Sequence, residues 1–273
     1  MYRFYCPDAD FSKPSIVISD AHEIHHIKDV LRMKNGSKLQ VFNAKSQQAE
    51  VVIEEIKDAA IRVRVEEITE SQEGGARIVL ACAPPKKGKF EFIIEKCTEL
   101  GVDEIIPLKT KRSEVVFTEG KMAGKLGRFE SVAVNAAKQS KRTKVPRICP
   151  MTPLIEVLKA LDPKALKIIP SLNGQTVHIV EVLNNFRNPV SGPPTNNCEC
   201  PSSGPKTFGG DSINSFRGDS VVVFIGPEGD FTPDELELAV KHGCVPVSLG
   251  DTVLKVETAA IAAVALVKFL CRN

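Results

Sequence analysis

From residue 38 to residue 68 apolar and polar positions alternate. KLQVFN, AEVVIEEI and AIRVRVEEI each place apolar residues at every second position, the period of a strand with one buried face, and turn-like breaks separate them. With the opening YRFYC, these segments predict a small antiparallel barrel. Ahead of them, HEIHHIKDVLRM sets Ile24, Ile27, Val30 and Leu31 on one face of a helix, and Asn35-Gly36 supplies its stop. The pattern breaks from Glu70 to Gly75, as a linker would.

Beyond that break the rhythm becomes strand, helix, strand. RIVLACA reads as a strand, KFEFIIEKCTEL as a helix closed by Gly101, VDEIIPL as a strand and KLGRFESVAVNAAKQSKR as a helix. LKIIPSL, VVVFIG and CVPVSLG are further strands, and helices follow the last two. Such alternation predicts a mostly parallel α/β sheet. The helix after VVVFIG has a full set of start signals: Thr232 as N-cap, Pro233 in the first turn and Glu235 to complete a capping box, with Gly243 as its stop. Residues 186–219 are rich in Pro, Gly, Ser and Asn and nearly free of aliphatic side chains, which predicts a disordered insertion. The expected division is a barrel at 1–72 and an α/β domain at 76–273.

Composition narrows the function less than pattern does. With 42% hydrophobic and 26% charged residues the chain is expected to be a folded soluble protein, and a net charge of +2 is too small to demand a polyanionic partner. No apolar run reaches the roughly 18 residues of a membrane span. The N-terminus MYRFYCPDAD resembles neither a secretory signal nor a transit peptide, so a cytoplasmic location is expected, with a chloroplast or mitochondrion left open. Eight cysteines are scattered without a C-x-x-C pair, as buried thiols in a reducing compartment would be; Cys198-Glu-Cys200 has no partner pair to make a metal site.

Candidate chemistry lies at two strand ends. In open α/β sheets ligands bind beyond the carboxyl ends of strands. Gly226-Pro-Glu-Gly229 follows VVVFI directly, and Leu249-Gly250 follows VPVS, leading to Lys255, Glu257 and Thr258 where the last helix opens. Glycines at 226, 229 and 250 allow a flat ligand to approach the backbone closely. Neither turn is a Walker loop, and no G-x-G-x-x-G follows a strand, which disfavours nucleoside triphosphatases and nicotinamide dehydrogenases.

Taken in order, HHIKDVLRMKNG, FIIEKCTELGVDEIIPL, GPEGDFTPDEL and LG-x-x-VLK-VETA resemble the RsmE family of ribosomal RNA methyltransferases, over nearly the whole chain apart from the insertion. The resemblance implies an α/β fold: a SPOUT-type trefoil-knotted methyltransferase domain preceded by a small PUA-like β-barrel. It also implies a homodimer, S-adenosyl-L-methionine as cofactor, and methylation of N3 of a uridine in small-subunit ribosomal RNA within an assembled subunit. A SPOUT-type ribose 2'-O-methyltransferase and a non-catalytic RNA-binding protein of the same fold are the alternatives.

Residue by residue, the resemblance assigns Gly226, Glu228 and Gly229 of one loop and Ser248, Leu249, Gly250 and Leu254 of the other to the cofactor, together with Glu257. Arg3, His26, Arg32, Arg112 and Arg142 fall at or near basic positions of the family and become RNA-binding candidates. Arg112 and Lys255 are the catalytic candidates, because a cation would favour the uridine anion. Family members commonly carry Arg where this chain has Thr252 and Lys255, and the family favours Glu where it has Lys138. Lysine lacks the planar fork of arginine.

Overall fold

The structure of the chain, a computed structural model, describes residues 1–70, 75–86, 88–115, 119–172, 174–187 and 220–271. Most of the expected insertion, with Cys198 and Cys200, lies outside the described residues. Its first two positions do not belong to it, since Phe186 and Arg187 close a helix and Phe186 packs on the core.

The N-terminal part comprises β1 (Arg3–Tyr5), β2 (Ser15–Ile18), α1 (Ala21–His25), β3 (Lys38–Phe42), β4 (Gln47–Ile56) and β5 (Ile61–Glu70). Its strands form one sheet in the order β1-β3-β4-β5-β2. The alternating segments became β3, β4 and β5, and their inward residues Leu39, Val41, Ala49, Val51, Ile53, Ile61 and Val63 are buried together. The sheet is mixed and not purely antiparallel, because β1 runs parallel to β3. The expected helix at 22–33 is also shorter. Asp20 caps α1 by accepting the Glu23 N–H, and a π turn follows over His26–Val30. The wider turn keeps Ile24 and Ile27 inside but carries Val30 outward, where it is 58% exposed.

The second part holds β6 (Arg77–Cys82), α2 (Lys89–Leu100), β7 (Glu104–Lys109), α3 (Glu119–Gln139), β8 (Arg147–Ile148), β9 (Thr152–Pro153), α4 (Leu154–Ala160), β10 (Leu166–Pro170), β11 (Val177–His178), α5 (Ile179–Arg187), β12 (Ser220–Ile225), α6 (Pro233–Lys241), β13 (Cys244–Ser248) and α7 (Val256–Cys271). The strands pair in the order β11-β13-β10-β12-β6-β7-β8, with β9 on β7, and every pairing is parallel.

Both faces of this sheet are covered, which explains why its central strands read as unbroken apolar runs. Val221, Val223 and Ile225 of β12 join a core with α2, α3, α5 and α7, whereas Val222 and Phe224 face α4 and α6. The capping box of α6 forms as its sequence predicts, and Gly243 at φ +83 follows the helix. Cys6, Cys82, Cys97, Cys149 and Cys244 are buried free thiols. No helix among the described residues is long and apolar enough to cross a membrane.

An ion pair joins the two parts. Lys138 at the end of α3 meets Glu23 of α1, with side chains only 14% and 6% exposed, and its ammonium lies 6.0 Å from the centre of the Phe4 ring. The unexpected Lys138 thus has an acidic partner in the N-terminal part.

Candidate functional site

A cavity of about 660 Å³ opens at the carboxyl ends of three neighbouring strands, β13, β10 and β12. Its walls come from Pro170, Ser171 and Leu172 after β10, from Ile225 to Glu228 and Asp230 after β12, and from Val247 to Glu257 with Ala259. The loop between β13 and α7 therefore supplies one continuous wall. This is the position at which a parallel sheet exposes unpaired backbone groups to a ligand.

The turn after β12 is held from several sides. A Cβ at Gly226 would lie 3.1 Å from the buried ring of Phe231, so this glycine permits internal close packing. Pro227 O accepts the Asp230 N–H at 2.9 Å, which closes the turn. Glu228 is exposed, and its carboxylate accepts the Lys86 N–H at 3.2 Å. Arg112 Nη1 donates to Gly229 O at 2.5 Å, and Gly229 lies beside the Arg112 side chain, off the cavity wall.

On the opposite wall, Ser248 Oγ accepts the Gly250 N–H at 3.1 Å and donates to Gly250 O at 3.2 Å. Gly250 adopts φ +119, a conformation closed to most L residues. Leu249, Leu254 and Val256 add apolar surface to the cavity, and Lys255 is exposed on its rim. Glu257, in the first turn of α7, bonds Lys89 Nζ at 2.5 Å, and this bond holds its carboxyl below the usual carboxylate range.

The basic candidates have separate surroundings. Arg112 and Arg32 are exposed, Arg32 at φ +50 just after the π turn. Arg3 is half-buried against the Phe42 ring, 4.8 Å from its centre, and donates to Gln48 at 3.0 Å. His26 packs edge-on against Phe4, whereas the neighbouring His25 is exposed and bonds Asp29 at 2.7 Å. Arg142 is 6% exposed, and its guanidinium donates to the carbonyls of Thr98 and Val102, both at 2.9 Å. It stabilises the carboxyl end of α2, where unpaired carbonyls and the helix dipole favour a cation. Arg142 is thus turned inward, away from solvent.

The sequence reading missed Lys89, Asp230 and the Ser171-Leu172 loop. Lys89 opens a recognised helix and Asp230 follows a recognised loop, but their side chains reach partners far along the chain. The loop follows β10, and only the strand order sets β10 between β12 and β13.

The chain matches the RNA methyltransferase domain family over residues 72–268 and the RNA methyltransferase PUA domain over residues 18–66. It is 27% identical over 252 residues to ribosomal RNA small subunit methyltransferase E of Bacillus subtilis, covering 90% of this chain and 87% of that protein. Its identity to the protein of the same name from Synechocystis is 26%, over 100% of this chain and 78% of the relative. Among solved structures, a putative methyltransferase from Legionella pneumophila in complex with S-adenosylmethionine superposes with a TM-score of 0.76 at 27% identity, covering 98% of this chain and 96% of that one. A probable rRNA-methyltransferase from Porphyromonas gingivalis gives 0.75 at 26% identity, with 99% and 98% covered. A PUA-like sheet, a parallel α/β domain with a strand-end cavity, and two family matches in that order together make this chain a member of the RsmE family of ribosomal RNA methyltransferases.

Proposed function

We propose that the chain methylates N3 of a uridine in small-subunit ribosomal RNA, with S-adenosyl-L-methionine held in the cavity at the ends of β10, β12 and β13. The observation that carries this reading is the single cavity lined by both loops that resemble the family's cofactor loops. The site suits the cofactor in size and chemistry. Its volume of about 660 Å³ falls within the roughly 300–1,000 Å³ of small-molecule sites. Ile225, Val247, Leu249 and Leu254 offer apolar surface to an adenosine, while Glu228, Asp230, Asp251 and Glu257 outnumber Lys89 and Lys255. An acidic excess complements a sulfonium.

When bound, the cofactor supplies a methyl group already activated for transfer. The chain's own residues have to bind, align and manage a proton. Uridine N3 carries that proton on its pairing edge, so the base must be unpaired or flipped when it is methylated. Arg112, anchored on Gly229 O, provides a fixed cation beside the cavity to stabilise charge developing on the base, and Lys255 provides a second cation on the opposite rim. Arg3, His26 and Arg32 serve the RNA from the barrel side, while Arg142 keeps a structural role.

A homodimer belongs to the same reading. Phe92 on α2 and Phe269 on α7 are 47% and 57% exposed, and they lie on two helices that pack together. A second copy of the chain would cover this apolar surface.

Small subunits from a bacterium lacking this methylation, incubated with the protein and methyl-labelled cofactor, test the proposal by nucleoside mass spectrometry. The label is expected on N3 of one uridine. Label on a ribose oxygen, or no transfer, would overturn the reading.

A further inference from the structure

We infer that Asp230 is a positioning residue for the cofactor, clamping the loop after β10 to the turn after β12 so that the cavity wall is set before the ligand arrives; this rests on the cofactor reading above. Asp230 stands at φ +58, in the left-handed region that L residues enter only at a cost and that aspartate tolerates better than most. A residue kept there needs a reason in its side chain. The usual reason, capping the next helix, does not apply, since Thr232 caps α6 with its own box.

The carboxylate instead reaches across the cavity's edge. Its Oδ2 accepts the Leu172 N–H at 3.2 Å and the Ser171 hydroxyl at 3.4 Å, while Oδ1 accepts the Phe231 N–H at 2.8 Å. Ser171 N in turn donates to Val247 O at 3.2 Å, which links the same loop to β13. The carboxylate thus joins the ends of β12 and β10, and through the Ser171 backbone the end of β13. Leu172 lines that cavity although it is 63% exposed, so its place depends on its backbone being held. Hydrogen bonds to an ionised acceptor are stronger than neutral ones, which suits a clamp at a half-exposed edge.

The proposal separates stability from affinity. Asp230→Gly trades the carboxylate's hydrogen bonds for relief of left-handed strain of similar size and leaves the capping of α6 intact, so its melting temperature should change little. Without the carboxylate, the Leu172 amide should exchange with deuterium about tenfold faster in cofactor-free protein, and the calorimetric Kd for S-adenosylmethionine should rise about tenfold, as expected for a lost charge-assisted bond. Asp230→Asn keeps an acceptor and tolerates the same backbone, so it should recover most of the protection and affinity. Unchanged Leu172 exchange in Asp230→Gly, or cofactor affinity equal to that of the unaltered protein, would overturn the clamp. An unaltered protein that fails to bind S-adenosylmethionine would overturn the cofactor reading instead, while cofactor-free exchange at Leu172 still decides whether the clamp exists.

Discussion

Arg112 and Arg142 carry the same guanidinium into opposite surroundings. Arg112 lies exposed on a strand-end turn, whereas Arg142 is buried and donates two bonds to the carbonyls of Thr98 and Val102. Nothing in their local sequence separates them, since both sit in short basic stretches, KTKR and KQSKR. The difference arises from the end of α2, which comes close in space to a segment some forty positions away. Replacing Arg142 with alanine takes the donor from Val102 O and leaves Thr98 O with only the Gly101 N–H, and should destabilise the fold by about 2–3 kcal/mol in urea unfolding. The salt dependence of RNA binding by the folded protein should stay unchanged. A shallower slope would return Arg142 to the RNA surface, because each lost phosphate contact reduces that slope.

At the level of elements, local chemistry made some parts legible and concealed others. The start of α6 was readable because every capping group lies within four residues, from Thr232 to Glu235. The π turn after α1 was not, since one added residue per turn leaves the apolar spacing nearly unaltered while rotating Val30 to the surface. The pairing of α2 with α7 was equally hidden. Lys89 opens α2, where the helix dipole disfavours a cation, and Glu257 opens α7, where it favours an anion; the Lys89–Glu257 bond offsets the first and adds to the second. Because that bond holds the Glu257 carboxyl below its usual range, its stabilisation is present above the unfolded-state pKa, near 4.3, and is lost as pH falls through the lower folded value. Urea midpoints of Glu257→Gln and of the unaltered protein should therefore differ at neutral pH and converge on acidification below about pH 4. A gap that stays constant down to that range would show that the carboxylate charge contributes nothing.

Across the whole molecule, periodicity revealed a β-rich N-terminal part and a parallel α/β part, because burial on one face or on two leaves distinct patterns. Strand order left no such trace, and with it went the third loop of the cavity and the contact between the two parts. Glu23 and Lys138 lie in that contact: they are nearly buried, and the second carboxylate oxygen of Glu23 has no hydrogen-bond partner among the described residues. Removing one charge from such a pair strands the other, so Glu23→Gln or Lys138→Met should each cost about 3–5 kcal/mol, while removing both together should cost much less than the sum. Additive losses in chemical denaturation would show that the two charges act independently. The three-loop cavity also orders events in time. Its walls use residues 170–172, 225–228, 230, 247–257 and 259, so a chain leaving the ribosome at about 5–20 residues per second exposes its complete N-terminal sheet on the order of ten seconds or more before the last wall exists. A nascent chain therefore has its N-terminal sheet but no place for the methyl donor, and the ribosome that makes it is out of reach of its chemistry until synthesis has passed Ala259.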